Sequence, residues 1–154
     1  MTVLPSPIGP LTITGTDQSI NRIDFGSKKN TTSKPKPPES RCIQELTEYF
    51  KGERIKFSVP MEATGTAFRL QVYKAMQAIP FGETRTYGDI AKAIGNPKAI
   101  RAVGGACGAN PLPILIPCHR VVGSNGIGGY NGGIRRKMWL LEHEKIHRKR
   151  RLLR

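Results

Sequence analysis

Short apolar runs separated by turn residues open the chain. Residues 2–4 and 11–14 flank the turn sequence Ser-Pro-Ile-Gly-Pro, and a third apolar run follows at residues 20–25. Runs of this length that are bounded by Gly, Pro and Ser are typical of strands. The pattern therefore predicts a small antiparallel sheet of three strands.

The hydrophobic spacing then changes. Residues 26–40 contain three prolines and no apolar side chain larger than proline, which predicts a mobile loop because such a segment cannot bury a core. Residues 41–51 place Leu46, Tyr49 and other apolar side chains at helical spacing. The helix predicted there ends at Gly52.

Helical spacing dominates the second half of the chain. It predicts helices at residues 67–78, 87–94, 97–109 and 134–145. Thr86 is the expected N-cap of the second helix, and Asn96-Pro97 the expected start of the third. Two short helices joined by a tight turn that contains Gly95 are typical of a helix-turn-helix.

The remaining segments of this half connect the helices. Residues 112–116 are apolar and predict a short buried strand or extended segment, and residues 123–133 hold six glycines and predict a flexible loop. The apolar side of the last helix is assigned to Ile134, Met138, Trp139 and Leu141. The predicted domains are an N-terminal α/β domain at 1–63 and a C-terminal domain at 64–154 with a basic tail at 145–154.

Charge adds a partner to this picture. The 154 residues contain 25 Lys and Arg against 11 Asp and Glu, a net charge of +14, and residues 64–154 carry +12 of it. Such an excess favours a polyanion, above all nucleic acid. Arg135–Lys137 and the terminal tail are interpreted as sites of non-specific attraction to phosphates.

Composition also excludes several classes of protein. No run of 18 apolar residues exists, and the N-terminus lacks the pattern of a secretory signal. Three scattered cysteines are too few for a disulfide framework, which favours a reducing compartment. We therefore expect no membrane contact and a cytoplasmic location, or a nuclear one in a eukaryote.

The helix predicted at residues 97–109 contains two adjacent glycines, Gly104 and Gly105. Each glycine inside a helix costs roughly 1 kcal/mol relative to alanine, so another interaction should offset the loss. One explanation is the close packing of another helix on a smooth face, and the other is close approach to a nucleic-acid groove. The sequence does not distinguish the two.

Cys118 is the strongest chemical candidate. His119 and Arg120 follow it, and nearby positive charge and an imidazole favour a thiolate nucleophile. In an extended chain the side chains of Cys118 and His119 point to opposite faces, so an interaction between them requires a local turn or a bridging water. Glu142 or Glu144 could orient the imidazole. The alternative is that Cys118 is a buried structural thiol.

A metal or nucleotide cofactor is not expected. The chain has three cysteines and three histidines without a CxxC pair, which disfavours a zinc site. The glycines at 126–133 do not follow a strand in the GxGxxG pattern, which disfavours a dinucleotide site.

The residues around Cys118 carry a family resemblance. Ile116-Pro117-Cys118-His119-Arg120-Val121-Val122 resembles the active-site motif of O6-alkylguanine-DNA alkyltransferases, also called methylated-DNA–protein-cysteine methyltransferases. The similarity continues from Phe68 to Glu144, through Arg101-Ala102-Val103-Gly104-Gly105-Ala106, Asn110-Pro111, Gly129-Tyr130 and Trp139-Leu140-Leu141. The first sixty residues resemble the family only weakly.

The resemblance implies an α+β fold. The N-terminal domain would be ribonuclease H-like, with a small antiparallel sheet and a helix. The C-terminal domain would be a mostly helical winged-helix or helix-turn-helix domain.

The resemblance also implies roles for single residues. Cys118 would accept the alkyl group, His119 would deprotonate it through a water, and Glu144 would hold His119. The implied substrate-binding residues are Tyr87, Asn110, Val121, Tyr130 and Asn131, the last standing where the family commonly has serine. The implied DNA-binding residues are Ala99, Arg101, Ala102, Gly104, Gly105 and Arg120, with Arg101 replacing a flipped nucleotide in the stack.

The implied activity is DNA repair by direct reversal. The alkyl group of O6-alkylguanine, and of O4-alkylthymine, in double-stranded DNA would pass once to Cys118 and inactivate the protein. The expected partner is damaged duplex DNA alone, with the chain a monomer and no cofactor. Two other classes stay open, a DNA-binding regulator without a nucleophile and a thiol hydrolase that turns over.

Overall fold

A computed structural model describes residues 1–32 and 34–153. The chain divides into two compact units, Met1–Thr64 and Gly65–Arg154. In chain order the elements are β1 (Thr2–Leu4), β2 (Leu11–Gly15), β3 (Ile20–Phe25), α1 (Pro37–Phe50), α2 (Ala67–Gln77), β4 (Arg85–Thr86), α3 (Tyr87–Ala93), α4 (Ile100–Gly108), a 3-10 turn (Cys118–Arg120), β5 (Val121–Val122) and α5 (Ile134–Leu152). None of the described helices combines the length and apolar character needed to cross a bilayer.

The first unit contains the predicted antiparallel sheet. β2 is the central strand, hydrogen-bonded to β1 on one side and to β3 on the other, with Ile13 opposite Ile23. Side chains on one face of the sheet are buried against α1, where Leu46 and Tyr49 are fully buried. The short apolar runs bounded by turn residues predicted these three strands.

Helix α1 begins inside the segment predicted to be a mobile loop. Pro37 starts it, because proline is tolerated in the first turn of a helix, where its missing N–H has no partner to lose. The buried carboxylate of Glu39 accepts hydrogen bonds from the backbone N–H of Lys36 at 3.1 Å and of Gly15 at 3.0 Å. The loop prediction for residues 26–40 is therefore wrong from Pro37 onward.

Helices α3 and α4 of the second unit form the predicted helix-turn-helix. The Thr86 hydroxyl accepts from the Asp89 N–H at 3.0 Å, and the Asp89 carboxylate accepts from the Thr86 N–H at 2.9 Å. This reciprocal cap starts α3 at the predicted residue. After α3 the chain reverses at Gly95, whose φ of 77° lies in the left-handed region that glycine tolerates.

Helix α4 starts later than predicted. The Ala99 N–H donates to the Asn96 carbonyl at 3.0 Å, so residues 96–99 form a turn with Pro97 at its second position. Proline is equally suited to that position and to the first turn of a helix, and the sequence alone did not separate the two. The helix therefore begins at Ile100 and not at Pro97.

The predicted strand at residues 112–116 is a compact buried turn. The Ile116 N–H donates to the Leu112 carbonyl at 2.8 Å, and Ile114 has a φ of 74°. All five residues are buried, and an apolar run alone does not distinguish a buried turn from a strand. The segment delivers Cys118, after which β5 pairs in parallel with β4 beside the start of α3.

Helix α5 is longer than predicted and presents a different face. It continues through the basic tail to Leu152 rather than ending near residue 145. Ile134 and Met138, predicted to face the core, are 42% and 56% exposed. The buried positions are Lys137, Leu140, His143 and Glu144. The periodicity was misleading because charged and polar side chains occupy this buried face.

Candidate active site

Cys118 lies at the start of the 3-10 turn, on the wall of a cavity. The Arg120 N–H donates to the Pro117 carbonyl at 3.0 Å, which closes the turn. The segment is therefore the local turn that the sequence required, not an extended chain. Cys118 is only 5% exposed, and the cavity beside it has a volume of about 200 Å³. Its other walls come from Tyr87, from Gly104, Cys107 and Gly108 of α4, and from loop residues 129–131.

The Cys118 thiol is protonated at neutral pH. Burial raises its pKa to about 11, and a hydrogen bond from the Asn110 side chain and the charge of Lys137 offset only part of this effect. The Asn110 amide donates to the Ile116 carbonyl at 2.9 Å, and its carbonyl oxygen accepts from the Leu112 N–H at 2.9 Å. Asn110 thus fixes the turn that leads to Cys118.

The imidazole next to Cys118 in sequence is fully buried and paired with a carboxylate. Nε2 of His119 is 2.6 Å from Oε2 of Glu144. An ionised carboxylate only accepts, so Nε2 carries the hydrogen and Nδ1 is the basic nitrogen of the neutral ring. Within the described residues, Nδ1 has no hydrogen-bond partner. His119 is therefore arranged as a base.

Glu144 is held in its ionised form. Nε of Arg120 donates to its Oε1 at 2.8 Å, and Nη2 donates to Oε2 at 3.1 Å. Burial alone would raise the pKa of Glu144, but the charges and hydrogen bonds of His119 and Arg120 hold it well below its usual range. The pair can thus stabilise a proton on His119 without losing the carboxylate.

The structure corrects the predicted role of Arg120. We expected this side chain to contact DNA, but it is 7% exposed, and its remaining Nη1 donates to the Ile79 carbonyl at 2.7 Å. Of the two carboxylates considered for His119, Glu144 is the partner, whereas Glu142 is exposed. Cys107 lines the cavity.

Tyr87 and the glycine-rich loop close the cavity opposite α4. The backbone of Gly129 hydrogen-bonds to the Tyr87 hydroxyl, and burial raises the pKa of this phenol. A Cβ on Gly128 would lie 2.8 Å from the same hydroxyl, so glycine permits the close approach of the loop. Tyr130 is half-buried and Asn131 is exposed at the rim. The structure therefore brings the predicted pocket residues Tyr87, Tyr130 and Asn131 to one cavity.

Lys137 was missed by the sequence reasoning. It was grouped with its neighbours as a surface cation, but its side chain is fully buried. Its Nζ donates to the Val121 carbonyl at 2.6 Å and to the Gly129 carbonyl at 2.9 Å. The available signal was helical spacing, since Lys137 is three residues from Leu140 and seven from Glu144.

The outer face of α4 is smooth and carries one cation. Arg101, Ala102 and Gly105 are exposed, whereas Ala99 and Gly104 are half-buried. Apart from its chain neighbours and the backbone of its own helix, a Cβ on Gly104 or Gly105 would meet no described atom within 4 Å. The glycines are therefore not required for packing against another part of the described chain, which removes one of the two explanations offered for them.

Two family models cover almost the whole chain. The DNA binding domain of 6-O-methylguanine DNA methyltransferase matches residues 67–146, and the ribonuclease-like domain of the same protein matches residues 1–63. The chain belongs to the 6-O-methylguanine DNA methyltransferase family. The resemblance carried by the motif around Cys118 is thereby confirmed, together with the predicted α+β fold class.

Individual methyltransferases match most of the chain. The methylated-DNA–protein-cysteine methyltransferase of Mycobacterium bovis is 45% identical over 148 residues, 92% of this chain and 90% of that protein. A probable methyltransferase of Acanthamoeba polyphaga mimivirus is 55% identical over 115 residues, 74% of this chain and 76% of that protein. Mycobacterium tuberculosis OGT, solved in complex with DNA, has a TM-score of 0.87 at 43% identity and covers 95% of this chain and 93% of that one.

The first unit also matches the methyltransferase family. Its motifs resemble the family weakly, yet the ribonuclease-like domain of the family matches residues 1–63. The roles of single residues in this methyltransferase remain predictions. The geometry pairs His119 with Glu144 and removes Arg120, which is buried against the same carboxylate, from the proposed DNA contacts.

Proposed function

We propose that this chain repairs DNA by transferring the alkyl group of O6-alkylguanine to its own Cys118. The observation that carries the proposal is the Cys118 thiol on the wall of a 200 Å³ cavity, next in sequence to a buried His119–Glu144 pair. A thiol, a base and a carboxylate that orients the base are the parts of a nucleophilic relay. The cavity supplies the space in which an alkylated base would meet the thiol.

Proton transfer is the first task of the relay. Because burial raises the pKa of Cys118 to about 11, the thiol is a poor nucleophile until its proton is removed. His119 takes this proton at Nδ1 through a water, and the Glu144 carboxylate stabilises the resulting imidazolium. Arg120 keeps Glu144 ionised and fixed.

The displacement then moves the alkyl group from oxygen to sulfur. The Cys118 sulfur forms a bond to the alkyl carbon as the bond from that carbon to O6 breaks, and the guanine leaves with the electron pair. The Tyr87 hydroxyl, protonated because burial raises its pKa, donates a hydrogen bond to the purine and improves the leaving group. The carbonyls of Cys118 and Val121 accept from the guanine amine, with Tyr130 and Asn131 at the pocket wall.

The target base must leave the duplex to reach this cavity. Unstacking a base costs a few kcal/mol, and enzymes that act on bases flip them into a pocket. The smooth face of α4 fits a minor groove, and Arg101 fills the gap left in the stack. The exposure of Arg101 on α4 supports this role.

We further infer that damaged double-stranded DNA is the only obligate partner. The nucleophile, base, orienting carboxylate and cavity all come from one unit of one chain, so a monomer is sufficient. The three free cysteines suit a reducing compartment, the cytoplasm or a nucleus.

The test is to follow the alkyl group. Duplex DNA with O6-methylguanine labelled in the methyl group is mixed with the protein, and the label is located by peptide mapping. We expect the label on Cys118, no transfer to the Cys118→Ala variant, and transfer at Cys118 in Cys107→Ala. Label on any other residue, or in solvent, would reject the proposal. A regulator would transfer no label, and a hydrolase would release it.

A further inference from the structure

A buried cation without an acidic partner lies beside the cavity. The Lys137 side chain is 0% exposed, and no acidic side chain of residues 1–32 and 34–153 forms an ion pair with it. Removing a charge from water is expensive unless a counter-charge or several hydrogen bonds replace the solvent. Its two carbonyl partners supply hydrogen bonds but no negative charge.

The ionisable groups that interact electrostatically with Lys137 lie on the cavity wall. Burial lowers the pKa of Lys137, and negative charge on Cys118 or Cys107 counteracts this effect. In return, the charge of Lys137 favours the ionised form of each thiol. Both thiols are neutral in the resting protein, because burial raises the pKa of Cys118 to about 11 and that of Cys107 to about 12. The unit thus holds a cation that gains a partner only when a neighbouring thiol ionises.

The two carbonyls that accept hydrogen bonds from Lys137 belong to two different segments of the site. Val121 forms β5 directly after the turn that carries Cys118, and Gly129 belongs to the loop that hydrogen-bonds to Tyr87. The ammonium is also 6.0 Å from the centre of the Tyr87 ring. One side chain of α5 therefore connects the segment of the nucleophile to the loop that closes the pocket.

We propose that Lys137 is the positioning residue that serves as counter-ion to the Cys118 thiolate and holds the pocket loop against β5. This inference rests on the proposed use of Cys118 as the nucleophile. His119 removes the proton, and Lys137 stabilises the charge that remains on sulfur. The same ammonium keeps Gly129 in place while the charge develops, so that the pocket does not open as the base reacts.

The test uses iodoacetamide, which alkylates a thiolate whether or not the protein transfers alkyl groups from DNA. The rate of modification of Cys118 is measured by peptide mass spectrometry from pH 6 to pH 9, below the pKa of Cys118, in the wild type, Lys137→Gln, Lys137→Met and Lys137→Arg. Lys145→Gln, which removes an exposed cation from the same helix, is the matched control. Thermal unfolding is recorded for every variant.

We expect Lys137→Gln and Lys137→Met to move the pH profile of Cys118 to higher pH. A shift of one pKa unit lowers the thiolate fraction about tenfold, and the higher nucleophilicity of a more basic thiolate reduces the net loss at pH 7.5 to about threefold. Lys137→Arg should retain the wild-type rate because it keeps the charge, and Lys145→Gln should match the wild type throughout.

An equal loss of rate in Lys137→Arg and Lys137→Met would overturn the counter-ion role, because the loss would then not depend on the charge of the side chain, even if the variants unfold at lower temperature. So would a wild-type profile in Lys137→Met. Failure of the proposed function has a different signature, since the wild type would then show the expected iodoacetamide profile but take no label from damaged DNA.

Discussion

At the scale of the residue, the reactivity that we propose for Cys118 depends on side chains that its own motif does not contain. His119 and Arg120 are adjacent in sequence, but Glu144 comes from α5 and contacts both, at 2.6 Å and 2.8 Å. Burial makes the thiol hard to ionise, and the base and the ordered carboxylate compensate for that effect. The site therefore combines an unreactive resting thiol with a local means of activating it.

The pH dependence of transfer follows from this arrangement. His119→Ala should slow transfer from free O6-benzylguanine by about 10²-fold at pH 7.5, the lower end of what a general base contributes. The deficit should shrink as the pH approaches about 11, where Cys118 ionises without a base. Single-turnover rates across the pH range measure this, and Glu142→Gln, an exposed change on the same helix, is the control. A deficit that is constant with pH would argue against His119 as the base.

The sequence identified the chemistry-bearing residues but not their supports. The residues alone named Cys118 and His119 but left Glu142 and Glu144 open, and it was the family resemblance that implied Glu144. The roles of Arg120 and Lys137 could not be predicted, because a charge counted in the sequence does not reveal whether it is solvated or buried against a partner. The carboxylate partner of Arg120 is 24 residues away, and the carbonyl partners of Lys137 are 16 and 8 residues away, outside its own helix.

At the scale of the element, some conformations follow from the local sequence, whereas others depend on packing against other elements. The cap at Thr86 and the strands of the first unit agree with the structure. The apolar run at 112–116 became a turn, and the buried face of α5 proved to be polar. Periodicity assumes an apolar core, and it misassigns a helix whose inner face carries the machinery of a site.

The smooth face of α4 allows a prediction at this scale. Gly105→Ala should raise the free energy of unfolding by about 0.5–1 kcal/mol, because alanine favours a helix and, apart from its chain neighbours and the backbone of its own helix, no described atom lies within 4 Å of the new Cβ. Gly105→Leu should weaken binding to duplex DNA by about tenfold or more, because its bulk prevents close approach to the groove. Denaturant titration and a DNA-binding isotherm measure the two effects.

Transfer from free O6-benzylguanine separates groove contact from damage to the pocket. Gly105 does not line the cavity, so the leucine variant should react with the free base at the wild-type rate. Ala67→Leu, which adds similar bulk at the exposed start of α2, should leave duplex binding unchanged. Equal losses with duplex and free base would contradict the assignment of this face to DNA.

At the scale of the whole molecule, the net charge of +14 divides into different roles. Arg120 and Lys137 are buried within the site, so they do not belong to the surface that attracts phosphates. Much of the remaining excess lies on α5 beyond Glu144, where Lys145, Lys149 and Arg150 are exposed and no acidic residue follows. The total charge indicated the partner, but only the structure showed which cations are available to it.

The proposal that one chain repairs one lesion is tested by counting the guanines restored per chain. The protein is mixed with a tenfold excess of duplex DNA containing O6-methylguanine, and the restored guanine is measured over time alongside the intact mass of the protein. Transfer to sulfur forms a thioether that no group in the site can cleave. We expect repair to stop at one guanine per chain, with one methyl group on Cys118. Continued repair beyond one equivalent, with the protein mass unchanged, would contradict it.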